Sequence, residues 1–380
     1  MKAEYRKYQF DYVLLFYILA LLGLGTLMVA SASYVKSSYL SSTSDAYTIM
    51  TNQFVYAVIG IVAMIGASFV DYRIYKKLAV PFFVVALALM FITATPLGTE
   101  HNGARRWIDL GFIEFQPSEL MKIALVIYIA AILSDSKLGK KSMGWFGFVT
   151  VLVPVGLVFV SLAAQKHTSG IVIMGAIAVA MMFFGGIKMS IFATTLGAGV
   201  GAAVTMIAVF PHARQRVMTY LQSSFGNSSE TLDTSGDGYQ IQNSLRAIGS
   251  GGLFGRGYGQ SIQKYLYLPE SYNDFIFAII AEELGFVGVT VVIVLFVLLV
   301  CRGYKASAYS SDKFASMVAA GISTIIGLQA VMNISVVSGV IPVTGVALPF
   351  FSYGGTSLIM IMGAMGILLN IAKQSEYVKF

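Results

Sequence analysis

Apolar residues run along this chain in long unbroken blocks, without the alternation of a half-buried strand. Ten blocks come near the 20 or so residues that a helix needs to cross a hydrocarbon core. They cover roughly 12–32, 52–70, 78–97, 118–134, 146–164, 169–187, 190–210, 275–300, 314–337 and 348–372. The pattern predicts an all-α, polytopic integral membrane protein of about ten transmembrane helices, folded as one domain over 1–380. Loops are short except for residues 211–274, between the seventh and eighth blocks. That loop is too polar to span (GNSSETLDTSGDGYQ), yet it holds two helix-like pieces, ARQRVMTYLQS and YQIQNSLRAIGS. In the second, Ile241, Leu245 and Ile248 recur at spacings of four and three, and Gly251 and Gly252 are placed to stop it. Such a piece lies along a membrane surface or caps a helix bundle.

Composition agrees. The 380 residues are 57% hydrophobic and 11% charged, where a soluble protein carries about 25% charged residues. Mean hydropathy is +0.77. The net charge of +7 raises the question of nucleic acid, which the positions of the basic residues answer. With the N-terminus cytoplasmic and each span changing side, most of them fall in cytoplasmic segments. These include Lys2, Arg6 and Lys7, then Arg73, Lys76 and Lys77, Lys137, Lys140 and Lys141, Lys188, Arg302, Lys305 and Lys313, and Lys373 and Lys379. That is the positive-inside pattern, with both termini cytoplasmic, and it implies no nucleic-acid partner. The ASAS at 30–33 resembles a signal cleavage site, but the apolar run before it is too long and nine more follow, so the first span is read as retained. A single cysteine, Cys301, excludes an internal disulfide.

Ionisable residues where a bilayer makes them expensive are candidate functional groups. The outer loop before the fourth span reads HNGARRWIDLGFIEFQPSELMK and places Arg105 and Arg106 outside, against the rule that other short loops obey. Gln116, Pro117, Ser118 and Glu119 then open a helix, with Ser118 as the expected N-cap. Glu119 and Lys122 are three residues apart and share a helix face, where they can pair. Read alone, these residues suit a self-satisfied ion pair with interfacial arginines as well as a site. The 163–170 loop, AAQKHTSG, adds Gln165, Lys166 and His167, and a lone histidine there reads first as solvated or locally bonded. The glycine-rich GSGGLFGRGYGQS, 249–261, follows no strand and opens no helix, so it fails as a nucleotide cradle. A flexible loop that lets the backbone approach a ligand, or simply a turn, fits it better.

In YLPESYNDFIFAIIAEELG, Asp274 stands where the long loop turns into the eighth span, and an N-cap role would explain it. Glu282 and Glu283 lie two turns deeper, Glu282 about 80° round the helix from Asp274 and Glu283 nearly opposite. Both read as polar ties to neighbouring helices. The stretch VSGVIPVTGVALPFFSYGGTS, 337–357, interrupts the apolar pattern, and irregular backbone at membrane depth needs protein or a wet cavity around it. By the alternation of sides, all these features face outward.

Three motifs, GARRWIDLGFIEFQPSELMK, GYQIQNSLRAIGSGGLFGRGYGQSIQKYLYLPESYNDFIFAIIAEELG and PVTGVALPFFSYGGTSLI, together resemble the shape, elongation, division and sporulation proteins, the FtsW/RodA/SpoVE family. The likeness covers nearly the whole chain. It implies a peptidoglycan glycosyltransferase that polymerises lipid II on the outer face of the bacterial cytoplasmic membrane beside a class B penicillin-binding protein. By the resemblance Asp274 matches the catalytic aspartate, and Arg105, Arg106, Gln116, Ser118, Glu119 and Lys122 match the substrate-binding early loop. The transfer inverts an α-linked sugar pyrophosphate to a β-linked glycan, so one carboxylate acting as general base suffices. The departing pyrophosphate needs fixed positive charge from Arg105, Arg106, Lys122 or a divalent cation, magnesium or manganese. The wording LYLPE…NDFIFAI leans to the division and sporulation branch, implying divisome partners and a septal location, with elongation (elongasome components) the alternative. Two departures stand out: Gln165-Lys166-His167 where the family often has Gln-Pro-Asp, and Tyr272-Asn273 where it often has His-Thr or His-Asn. A lipid II flippase also suits many spans with buried charges. Transporters, however, place their sites near the midplane of repeated halves, and here the polar residues gather at one face.

Overall fold

The computed structural model describes residues 10–40, 47–101, 104–111, 114–135, 145–209, 214–215, 217–221 and 236–375. Lys2, Arg6, Lys7, Lys137, Lys140, Lys141, Lys379, and most of the 226–240 polar stretch and part of the 213–223 piece lie outside the described residues.

A helix stands at each of the ten apolar blocks. They are α1 (Tyr12–Leu40), α2 (Thr48–Phe69), α3 (Tyr72–Thr93), α4 (Pro117–Leu133), α5 (Trp145–Ala164), α6 (Thr168–Gly185) and α7 (Met189–Val209), then, after α8 (Asp237–Gly251) in the long loop, α9 (Ile276–Ala308), α10 (Lys313–Val337) and α11 (Gly355–Gln374). Among the described residues eight of these are long and apolar enough to cross a membrane, and α4, at 17 residues, is shorter than they are. Helix limits move where polar groups can cap. Asp71 accepts from the Arg73 amide, so α3 starts ahead of its apolar block, at the basic RIYKK run. The last block begins as irregular chain, and its helix starts only at Gly355.

Helices α10 and α11 are 72% buried over their most apolar windows and α2 only 22%, so α10 and α11 sit inside and α2 outside. Helix α11 packs along α2, α9 along α10, α4 beside α3, and α1 against α9. Apolar side chains such as Phe16, Phe54, Val62 and Val84 point outward, as they would toward lipid.

Each end of the bundle gathers the segments that the sequence assigns to one side. At one end Arg302 pairs with Asp11 at 2.9 Å, Lys313 donates to the Gly185 carbonyl, and Asn370 ties the start of α3 to the end of α2. The other end carries a small antiparallel meander, β1 (Thr99–His101), β2 (Ala104–Asp109) and β3 (Glu114–Phe115), with Thr99 opposite Trp107 and Ile108 opposite Phe115. Helix α8 caps this end, packing on α9 and α10, with Ser244 Oγ bonded to the Val337 carbonyl and Asn243 to that of Tyr267. Ile241 is buried on its packed side, while Leu245 remains 47% exposed.

The glycine-rich segment is neither cradle nor simple turn. Helix α9 breaks at Gly285, whose φ is +67°. Residues 252–257 fill the break, with the amides of Arg256 and Gly257 donating to the carbonyls of Glu282 and Glu283, and those of Phe286 and Val287 to Gly252 and Leu253. The backbones approach so closely that a Cβ on Gly255 would lie 2.1 Å from the Glu283 oxygen. This is why glycine stands there. Tyr258 then reaches the Leu27 carbonyl of α1, 13 residues (about 20 Å) before the end of that helix. Non-helical chain therefore runs along the bundle, tied to α9 and α1 by these backbone and tyrosine bonds, while most of residues 252–258 stay exposed.

Below it lie Glu282 and Glu283, almost wholly buried. Glu282 accepts from Ser261 Oγ and from the Ile262 and Gln263 amides. Glu283 accepts from Ser31 Oγ of α1, the Ser261 amide and Lys264 Nζ. The expected ties to neighbouring helices hold for Ser31 only; the two carboxylates mainly clamp the loop, because the kink brings it within reach.

A candidate active site at the capped end

The chain reaches Asp274 through a tight turn. Glu270 has φ +56°, and its carbonyl accepts from the amides of Asn273 and Phe275. Phe275 takes the N-cap position of α9 with no side-chain cap bond, and Asp274 is the half-buried residue before it. The N-cap position expected for Asp274 thus falls one residue later, on Phe275.

What holds Asp274 comes from two distant segments. Asn333, buried in α10, donates from its amide to the carbonyls of Asp274 and Val346, both at 2.7 Å. The irregular stretch after α10 then wraps over the turn. Ser352 Oγ donates to the Asn273 carbonyl at 2.9 Å, and the Tyr353 amide to that of Tyr272 at 3.0 Å. Gly345, with φ +69°, comes so close that a Cβ there would sit 3.3 Å from Asp274 Oδ2. The carboxylate therefore lies against bare backbone. The segment 337–357 is buried or half-buried except at Val340 and Gly345, and it is the seat of Asp274.

The same segment reaches the early-loop residues. Ser357 Oγ donates to Glu119 Oε2 at 3.1 Å, and Thr356 Oγ1 bonds the Glu114 carbonyl. Glu119 and Lys122 pair as their spacing predicts, at 2.8 Å and with side chains about nine-tenths buried. They line a cavity of about 10 Å³ with Ile322, Ile325 and Met360, room for one water at most. Ser118 is not the N-cap: Gln116 holds that position in extended conformation, Pro117 occupies the first helical turn, and Ser118 Oγ is buried without a hydrogen bond. Proline at the first position already supplies a residue with no amide to satisfy.

The arginines diverge, since successive strand residues face opposite sides. Arg105 pairs on the surface with Glu100 at 3.1 Å. Arg106 donates to the Lys166 carbonyl at 2.8 Å, fixing the turn between α5 and α6. That turn is more buried than its sequence suggests: Gln165 bonds the Met90 carbonyl and Ser161, and His167, expected to be solvated or locally bonded, is 9% exposed. So Asp274, Glu119 and Lys122 share one supporting segment, while Arg105 and Arg106 serve the hairpin and its neighbour. Among the described residues no three His, Cys, Asp or Glu side chains cluster as a metal site. Asn333, Gly345, Ser352 and Ser357 were not singled out, although the last three lie in the irregular 337–357 stretch and Asn333 is an amide within an apolar span.

Comparison with known proteins agrees with this arrangement. Stage V sporulation protein E of Bacillus subtilis is 38% identical over 370 residues, covering 97% of this chain and 98% of the relative. A probable peptidoglycan glycosyltransferase FtsW of Geobacter sulfurreducens is 37% identical, over 96% and 95%. A chain from a peptidoglycan synthase complex, solved for its structural coordination of polymerization and crosslinking, superposes with a TM-score of 0.78 at 26% identity, over 96% of this chain and 97% of that one. The rod shape determining protein RodA of Thermus thermophilus superposes with a TM-score of 0.70 at 25% identity, over 97% and 98%. A family model described as "Cell cycle protein", FtsW/RodA/SpoVE, matches residues 12–377, and the chain belongs to that family.

Proposed function

We propose that this protein is a peptidoglycan glycosyltransferase that polymerises lipid II at the outer membrane face, with Asp274 as the general base. The observation that carries the reading is the setting of Asp274. It directly precedes Phe275, the N-cap residue of α9, its carboxylate lies against the Gly345 backbone, and it sits on a turn pinned by Asn333 and Ser352. A group so placed is held in register for chemistry.

In the reaction, Asp274 takes the proton of the acceptor sugar hydroxyl as its oxygen bonds the anomeric carbon of the donor. The bond from that carbon to the pyrophosphate oxygen breaks, the electron pair leaves with the polyprenyl pyrophosphate, and the configuration inverts. Negative charge grows on the leaving group and calls for fixed positive charge. Lys122, Arg105 and Arg106 are the candidates, with Gln116, Ser118 and Glu119 beside them. Magnesium is commonly held by one or two carboxylates together with substrate phosphates, so a divalent cation would arrive on the pyrophosphate.

The names of the relatives favour a division or sporulation role, at the septum, over elongation. The partner is a crosslinking enzyme, a class B penicillin-binding protein, within the divisome. The test is glycan synthesis from purified lipid II by the reconstituted protein and partner, with the partner's transpeptidase blocked. Polymer from wild type and none from folded, partner-bound Asp274→Asn supports the reading. Equal polymer from both retires Asp274 as the base, and none from a folded wild-type complex returns the transport reading.

A further inference from the structure

The turn that carries Asp274 has a second anchor, on the first helix. Lys36, near the capped end of α1, places its ammonium 3.6 Å from Glu270 Oε1 and 4.6 Å from the centre of the Tyr272 ring. The other carboxylate oxygen of Glu270 accepts from the Asn273 side-chain amide at 2.6 Å. Its backbone carbonyl accepts from the Asn273 and Phe275 amides at 3.0 and 3.2 Å. Glu270 does this in a left-handed conformation, φ +56°, that residues other than glycine seldom adopt and that surrounding structure must impose. Tyr272 lies over Lys36 on one side and edge-on to Tyr353 on the other, with centroids 5.8 Å apart. One carboxylate thus joins α1 to the residue beside Asp274, through a backbone held off its preferred region.

Stability does not explain this arrangement. The Lys36 and Glu270 side chains are 25% and 38% exposed, and a pair so wet adds little to folding. What the bridge fixes is position: Asn273 is adjacent in sequence to Asp274, and Phe275 starts the helix behind it. We propose that Glu270, bridged to Lys36, is a positioning residue that sets the orientation of the Asp274 carboxylate, with Tyr272 keeping the Lys36 ammonium in place. The proposal rests on Asp274 being the base and adds residues that act through it. Tyr272, where the family often has histidine, here provides a ring face for a cation, an attraction independent of any proton on the side chain.

The test uses the full-length protein with its partner, reconstituted with lipid II. Glu270→Gln, Lys36→Met and the double variant are compared with wild type and Asp274→Asn for kcat, for KM and for hydrogen exchange of the 270–276 backbone. Misplacing a catalytic group by about an ångström costs up to about 100-fold in rate. Each single variant is therefore expected to lose about 10- to 100-fold in kcat, with KM within about twofold. The 270–276 amides should exchange faster, and the double variant should be no worse than the poorer single one, because both changes break one bridge. Wild-type kcat and exchange in both single variants would overturn the proposal. So would a raised KM with unchanged kcat, which makes Lys36 a substrate contact, or losses that multiply in the double variant. Retained polymerisation in Asp274→Asn would remove the base assignment, and exchange of the 270–276 turn would then decide the positioning claim alone.

Discussion

Replacing Lys264 with methionine tests how the glycine-rich loop is held beside the kink of α9. The Lys264 ammonium donates to Glu283 Oε1 at 3.0 Å, to the Gly259 carbonyl at 2.7 Å and to Ser31 Oγ at 3.1 Å. Its side chain is 3% exposed and that of Glu283 is fully buried. Methionine preserves most of the stem but leaves Glu283 without its cation, with Ser31 and the Ser261 amide as remaining donors. Removing one member of a buried ion pair costs about 3–5 kcal/mol, whereas replacing both is often close to neutral. Lys264→Met is therefore expected to lose about 3–5 kcal/mol. The double variant Lys264→Met/Glu283→Gln should recover to within about 1–2 kcal/mol of wild type, since a neutral amide can still accept from Ser31 and Ser261. The assay is reversible unfolding in mixed micelles, with hydrogen exchange over 255–264 to show that the loss begins in the loop. A Lys264→Met protein within about 1 kcal/mol of wild type would refute the reasoning, since that is the range of a solvated pair. A double variant as unstable as the sum of the singles would do the same.

Other consequences follow from the same contacts. Gly285→Ala puts a Cβ 2.2 Å from the Gly255 amide nitrogen at a φ of +67°; a loss above about 2 kcal/mol by micellar unfolding is expected, and wild-type stability would show that the kink can open. Asn333→Leu strips a donor from the Asp274 and Val346 carbonyls. It should lower stability by about 1–3 kcal/mol per orphaned acceptor and cut lipid II polymerisation further than that loss explains; unchanged activity in folded protein would contradict the seat described for Asp274. Lys122→Met leaves Glu119 buried beside apolar Ile322 and Ile325, and a loss of about 3–5 kcal/mol is predicted, partly restored by adding Glu119→Gln.

How much the sequence disclosed varies with the kind of interaction. Spans were legible because lipid-facing helices need about 20 apolar residues whatever their neighbours. The Glu119–Lys122 pair was legible because three-residue spacing on a helix is local geometry. Ser118 was misread because Pro117 displaced the helix start by two residues, a choice that propensity alone leaves open. Glu282 and Glu283 were recognised as structural ties, but their partners at 261–264 depend on the break at Gly285, which nothing in AEELGFVG announces. The seat of Asp274 was hidden for a similar reason: Asn333, Gly345 and Ser352 lie about 60 to 80 residues away, and only the fold brings them over the turn. Arg105 and Arg106 read as a pair, yet strand alternation sends them to different partners.

As a general base, Asp274 would act in the chemical step and not in holding substrate. The most direct measurement is a single-turnover rate for joining two lipid II molecules, taken alongside lipid II affinity, on wild-type and Asp274→Asn complexes. A general base contributes about 10²- to 10⁴-fold, so a rate loss of at least about 100-fold is expected, with affinity within about twofold. A wild-type rate in Asp274→Asn, or a loss that lies wholly in affinity, would contradict that role.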